Sequence, residues 1–304
     1  MDRIPDDASL NRRQLLTSAG AVALGARFGA AAQAPLSSFK GQEVFEKILS
    51  RAREEGWAGL PIGERIGKIA ISLLGTPYVG HTVELDDDRE YCVVNLRGLD
   101  CVTFFEDSLD IARILRKRKP TQKALIDEVR FTRYRGGVQG DFTTRLHYTK
   151  EWIGDNVRKG VVQDLTPDLP GAEPFTQRVG FMSAHPDSYR QLKSNPDLIP
   201  AMREMERKVD EIQTSYLPLP KIAQAEHLLK TGDIVAVTTN TPGLDVAHTG
   251  LCYRDEAGVL RFLDASSKRS SMKVTLDKRL SEALDWSDSL TGVLIARPLE
   301  IANR

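Results

Sequence analysis

Apolar residues recur at three- and four-residue spacing along 43–54 (EVFEKILSRARE) and 63–74 (GERIGKIAISLL). This spacing predicts two amphipathic helices. A loop, GTPYVG, follows at 75–80. The pattern predicts a third helix over 101–118, a short one over 121–128, and further helical segments over 145–158 and 198–213. The stretch FTRYRGGVQGDF at 131–142 is too rich in glycine to be regular. Beyond LPLPK at 217–221 the pattern changes. Four short runs rich in β-branched residues, 233–239, 246–253, 258–265 and 291–298, read as strands. Helices first and strands last predict an α+β fold built on an antiparallel sheet. No repeat or Gly/Ser linker divides residues 35–304, which read as a single domain.

The first 34 residues differ. LNRRQLLTSAGAVALGARFGAAAQAP, at 10–35, pairs Arg12 with Arg13, continues into a moderately apolar run and ends in small residues. This predicts a twin-arginine export signal over 1–34 and a mature protein in the bacterial periplasm. The run is too short, and too interrupted by glycine and Arg27, to span a bilayer stably. Lys+Arg and Asp+Glu both number 42, so the net charge is zero and nothing resembles a nucleic-acid footprint. The basic run RKRKP at 116–120 reads as the solvated end of a helix, where cations suit the dipole.

An exported chain meets an oxidising compartment, and this one has three cysteines, Cys92, Cys101 and Cys252. At least one thiol is left over, and a Cys92–Cys252 bridge stays open. Cys101 directly follows Asp100, a residue suited to cap the predicted helix. Phe104, Phe105, Ser108, Ile111, Ala112 and Leu115 share its helical face, so the helix packs inward and carries the thiol to an edge. Free amides and the helix dipole there favour a thiolate and suit an oxyanion. The plainer alternative is a buried, inert cysteine.

A thiol nucleophile needs a base. Of five histidines, His248 lies in a predicted strand whose hairpin turn, RDEAG, leads to the next strand. A hairpin symmetric about Glu256 sets His248 directly opposite Asp264, on one face and within side-chain reach. The carboxylate could then orient the imidazole. His147 is the alternative base. Zinc on His248, Cys252 and Cys101 lacks a ligand pair of the usual spacing, so no metal is expected.

LLGTPYVGHT, GLDCVTFFE and HTGLCY…RFLDASS, in this order, resemble the signatures of NlpC-type cell-wall hydrolases, which are papain-like cysteine enzymes. RLHYTKEWIGDN at 145–156, PGLDVAHTG at 242–250 and FTQRVGFMSAHPDSYRQL resemble the branch described as N-acetylmuramoyl-L-alanine amidase-like. The resemblance spans about 65–298. It implies a papain-like core with Cys101 as nucleophile, His248 as general base and Asp264 as the orienting residue, where many relatives have histidine. It implies Tyr78, Arg145, His147, Tyr148 and Trp152 as substrate-binding residues, with Tyr78 beside the nucleophile and its hydroxyl donating to an oxyanion or substrate carbonyl. Arg145 and Trp152 could equally serve as a salt bridge and a core anchor. A large insert, about 120–230, would shape the groove. The expected activity is cofactor-free amidase cleavage of peptidoglycan or muropeptide fragments. Rivals are a stem-peptide endopeptidase of the same fold, a non-catalytic wall-binding module and a zinc amidase.

Overall fold

The computed structural model describes residues 35–301; the export signal expected over 1–34 lies outside the described residues. Five longer helices come before the main strands: α1 (Gln42–Glu54), α2 (Ile62–Ser72), α3 (Cys101–Ile114), α4 (Gln122–Arg133) and α5 (Thr149–Arg158). A helix over Ile199–Asp210 follows. The strands are β1 (Ser37–Lys40), β2 (Cys92–Asn95), β3 (Val162–Asp164), β4 (Glu173–Pro174), β5 (Ser215–Pro218), β6 (Ile234–Thr239), β7 (Val246–Arg254), β8 (Leu260–Ser266), β9 (Lys273–Arg279) and β10 (Leu290–Pro298). β1 and β2 form a small parallel pair. The others form one sheet in the order β4-β5-β10-β6-β7-β8-β9, with β3 also on β10, and every pairing in it is antiparallel. The fold is therefore mixed helix and antiparallel sheet.

The sheet is covered on both faces. Ile234, Ala236, Leu251, Leu263, Ala265 and Leu294 pack with residues of α1–α5 in the larger core. Their neighbours Val235, Val237, Cys252, Phe262, Val293 and Ile295 pack on the other side with Ile222, Leu229, Leu280 and Leu284. Burial on both faces explains why β6 reads as a continuous apolar run rather than an alternation. A third core under Phe142, Tyr148, Met182, Leu192 and Met202 closes the region around the Ile199–Asp210 helix. α4 and α5 contribute Leu125, Val129, Trp152 and Ile153 to the larger core, so they belong to its body.

Several element limits differ from the sequence pattern. α3 stops at Ile114, and 116–119 stay exposed ahead of Pro120. There Arg116 meets Glu300 at 3.4 Å and Lys117 pairs with Glu128. α5 begins at Thr149 because Arg145 is in an extended bridge with Tyr134. Strand β9 (KVTLDKR) is outside the strands the pattern predicts, because its mostly charged and half-exposed residues carry little apolar signal.

Candidate active site

α3 starts at Cys101 because Asp100 caps it. Asp100 is extended; its Oδ1 accepts from the Thr103 amide at 2.7 Å, and the Asp100 amide donates to Thr103 Oγ1 at 2.9 Å. This reciprocal box fixes the first turn. The Phe104 amide bonds to the Asp100 carbonyl at 3.0 Å. The amides of Cys101 and Val102 keep no backbone partner among the described residues. They add to the positive end of the helix dipole beside the sulfur.

The loop GTPYVG threads between the far end of the sheet and the approach to α3. Gly75 donates to the Val274 carbonyl at 3.0 Å, Tyr78 to the Met272 carbonyl at 2.9 Å, and Val79 to the Leu99 carbonyl at 3.0 Å. Tyr78 is thereby held next to Cys101. Its phenol is made less acidic by burial first, then by the charges of Cys101 and Asp100.

His248 and Asp264 meet from neighbouring strands, with Nε2 of the imidazole 2.7 Å from Asp264 Oδ2. Both are buried, at 8% and 3% exposure. The bond leaves Nδ1 for the Cys101 side. Burial by itself would lower the imidazole's pKa. The Cys101 charge, hydrogen bonds with Asp264 and Cys101, and the Asp264 charge outweigh it and raise the pKa from 6.5 to about 10. The pocket therefore favours the imidazolium form of His248.

The register behind this contact differs from the expected one. β7 and β8 pair Leu251 with Leu263 and Arg254 with Leu260. The turn is Glu256–Gly258, closed by the Asp255 amide on the Val259 carbonyl at 3.0 Å, with Gly258 at φ +77°. The hairpin is centred on Ala257, not Glu256, because a glycine in the left-handed region closes a three-residue loop. Continuing this ladder sets Asp264 across from Gly250, so Asp264 reaches His248 diagonally. The shift keeps both on one face. A register irregularity in the pairing of β6 with β7 lies directly before His248, a position where bulges re-aim side chains.

Gly250 makes room for this arrangement. A Cβ there would meet the Phe262 ring at 2.6 Å and the Leu263 carbonyl at 2.8 Å. Phe262 meets the imidazole edge-to-face at 6.1 Å, and Trp286 does so at 5.7 Å.

All three cysteines are free, so the Cys92–Cys252 bridge left open by the sequence is not formed. Cys92 is buried with its sulfur 3.6 Å from the Ile126 carbonyl, and burial pushes its pKa to about 12. Burial also raises Cys252 well above its ordinary value. Cys101 alone is partly exposed. Among the described residues no three His, Cys, Asp or Glu side chains are grouped to hold a metal ion.

Tyr78 apart, the residues expected to bind substrate sit elsewhere. Trp152 is 2% exposed, donates to Glu106 Oε1 at 2.9 Å and packs edge-on to Phe105. Tyr148, also 2% exposed, donates to Glu206 at 2.8 Å. Both anchor α5 beneath the surface and offer no face to a substrate. Arg145 is buried over the Phe142 ring, with Nε 3.3 Å from Glu90 Oε1. His147 Nε2 bonds to the Phe142 carbonyl at 2.7 Å, and burial, then the Arg145 charge, hold its pKa well below 6.5. This imidazole stays neutral and is not joined to the Cys101 group. An apolar-plus-polar motif reads alike in a groove and in a core, so only packing separates the two.

The sequence pattern does not point to Trp286, which lies in a loop without periodicity, or to Glu106, Asp107 and Asp110, which are buried along α3. The signal for the three carboxylates is acids inside an otherwise apolar helix. A cavity of about 470 Å³ lies away from Cys101, lined by Pro61, Glu64, Arg254 and Arg297 among others.

Comparison with known proteins gives a consistent lineage. The family model described as N-acetylmuramoyl-L-alanine amidase-like (AmiA-like) matches residues 68–290. Two crystal structures of an N-acetylmuramoyl-L-alanine amidase from Bacteroides uniformis ATCC 8492 are similar. One is 34% identical with a TM-score of 0.72, the other 35% with 0.71, and each match covers 79% of this chain and 99% of that one. A Legionella pneumophila protein, 19% identical over 85% of this chain and 95% of that one, shares the fold with a TM-score of 0.63. No curated protein matches. The chain belongs to the N-acetylmuramoyl-L-alanine amidase-like family.

Proposed function

We propose that this protein is a papain-like cysteine amidase that cleaves the amide between the lactyl group of N-acetylmuramic acid and L-alanine, in peptidoglycan or its fragments. The observation that carries the reading is the meeting of a capped helix N-terminus bearing Cys101 with an imidazole whose Nε2 is held 2.7 Å from Asp264. Family membership supplies the amidase class and the peptidoglycan substrate.

Nδ1 of His248 takes the thiol proton, and the Cys101 thiolate attacks the carbonyl carbon. The resulting oxyanion is met by the Cys101 and Val102 amides and by the Tyr78 hydroxyl. Collapse breaks the C–N bond, and the departing amine takes the proton from Nδ1. Water, losing a proton to Nδ1, attacks the thioester and releases the carboxylate with the thiol restored. Asp264 holds the ring and stabilises the imidazolium throughout. No step uses a cofactor. The twin-arginine pattern over 1–34 supports export, and periplasmic action is part of the proposal.

The test is a mass spectrum of products from defined muropeptides. Free sugar together with intact stem peptide, absent with Cys101→Ala, is the expected result. Cleavage inside the stem peptide would mean an endopeptidase. Wall binding without any cleavage would leave a binding module, and chelator inhibition with indifference to thiol alkylation a zinc enzyme.

A further inference from the structure

Two aromatic rings meet the His248 imidazole, and they are held differently. Phe262 is 1% exposed in the middle of β8 and packed into the core on that face of the sheet. Trp286 comes from the segment between Leu284 and Leu290, outside any helix or strand. Its ring stands 5.7 Å from the imidazole at 80°. The Lys268 ammonium lies 5.1 Å over the same indole and 2.8 Å from Asp277 Oδ2. Lys268 follows β8 closely, and Asp277 lies on β9. A chain of contacts thus runs from the β9 carboxylate through a lysine and an indole to the imidazole edge.

Resting on the cysteine amidase reading, we propose that Trp286 is a positioning residue for His248, clamped in place by the Lys268–Asp277 pair. A histidine whose Nε2 is tied to one carboxylate still turns about that bond. With Phe262 fixed on one strand and Trp286 packed edge-on, the ring plane is set and Nδ1 stays aimed at Cys101. Lys268 is a suitable holder because its charge is spent on Asp277 and on the indole face rather than on the imidazolium. The charged and titratable groups facing this pair are Asp264 from β8, Cys101 from α3, Tyr78 and Asp100 beside the sulfur, and Lys268 beyond the indole.

The experiment follows the pH dependence of Cys101 alkylation by iodoacetamide in the full chain, with kcat and KM on a defined muropeptide. Cys101 is the one partly exposed thiol, so the probe reads that site. In wild type Cys101 is alkylated fast near neutral pH, because a positioned imidazole activates it. Trp286→Phe keeps an aromatic edge and follows wild type. In Trp286→Ala alkylation near neutral pH slows about tenfold, with kcat lowered about tenfold and KM little changed. At high pH both variants are alkylated at the wild-type rate. Trp286→Leu keeps an apolar plug and should behave like alanine, which decides the matter if the alanine variant fails to fold. A folded alanine or leucine variant alkylated at the wild-type rate near neutral pH overturns the positioning role. Slow alkylation of wild type itself sinks the nucleophile reading, and this inference with it.

Discussion

His248 and Asp264 are hydrogen-bonded at 2.7 Å although the β7–β8 ladder does not set them opposite one another. Asp264 reaches two residues along the neighbouring strand, across the space above Gly250. The diagonal reach suits a carboxylate and an imidazole, whose combined length spans a gap that two short side chains would leave open.

Asp264→Asn tests the orienting role. The amide is nearly isosteric but carries no charge, so it neither stabilises imidazolium nor enforces one tautomer. Activity should fall roughly 10²- to 10⁴-fold with the fold intact by circular dichroism. An asparagine variant within a few-fold of wild type would remove Asp264 from the mechanism.

The raised imidazole pKa makes a pH-dependent stability prediction. A group whose pKa rises from 6.5 unfolded to about 10 folded adds stability that is full below 6.5 and lost as pH climbs through the folded value. Urea unfolding of wild type should therefore weaken between about pH 6.5 and 10. Cys101→Ala removes the largest influence raising that pKa. An NMR titration should then find the His248 pKa lower than in wild type, and the window narrower.

Gly250→Ala tests the space behind the histidine. The added methyl would sit 2.6 Å from the Phe262 ring and 2.8 Å from a backbone carbonyl. Neither is a flexible chain end, so the strand or the ring must shift, at a cost of about 1–3 kcal/mol. The unfolding midpoint should drop, and kcat should drop with it because Phe262 flanks the imidazole.

Asp107 concerns stability alone. It is fully buried, 3.7 Å from Arg133, and burial raises its pKa from 3.8 to about 7 against the pull of that arginine. The folded state thus keeps a proton that the unfolded chain loses, and this contribution to stability falls as pH rises from about 3.8 to 7. Asp107→Asn should stabilise the protein at neutral pH and have little effect near pH 4. Equal effects at both would mean that the carboxyl is ionised throughout.

Local pattern reveals much of this protein. Asp100 before Cys101 at the start of an apolar run announces a capped helix, because capping is settled within four residues. The strands of the large sheet's centre announce themselves through β-branched content. The parity of the β7–β8 hairpin was also legible, since the period of two places His248 and Asp264 on one face in either register. The turn was harder: residues 255–259 accommodate two closures, and Gly258 selects the one centred on Ala257.

Tertiary packing decided the rest. RLHYTKEW contains the same residues whether it lines a groove or plugs a core. Glu106, by accepting from Trp152 at 2.9 Å and Arg133 at 2.7 Å, draws α5 and α4 onto α3 and commits the motif to the interior. Trp286 and Lys268 meet His248 only because a loop and two hairpin strands return to one place. Capping, periodicity and side-chain parity depend on neighbours in the chain and were determined by the sequence alone. Which polar and aromatic residues end up buried depends on contacts between distant segments, and that only the assembled structure could decide.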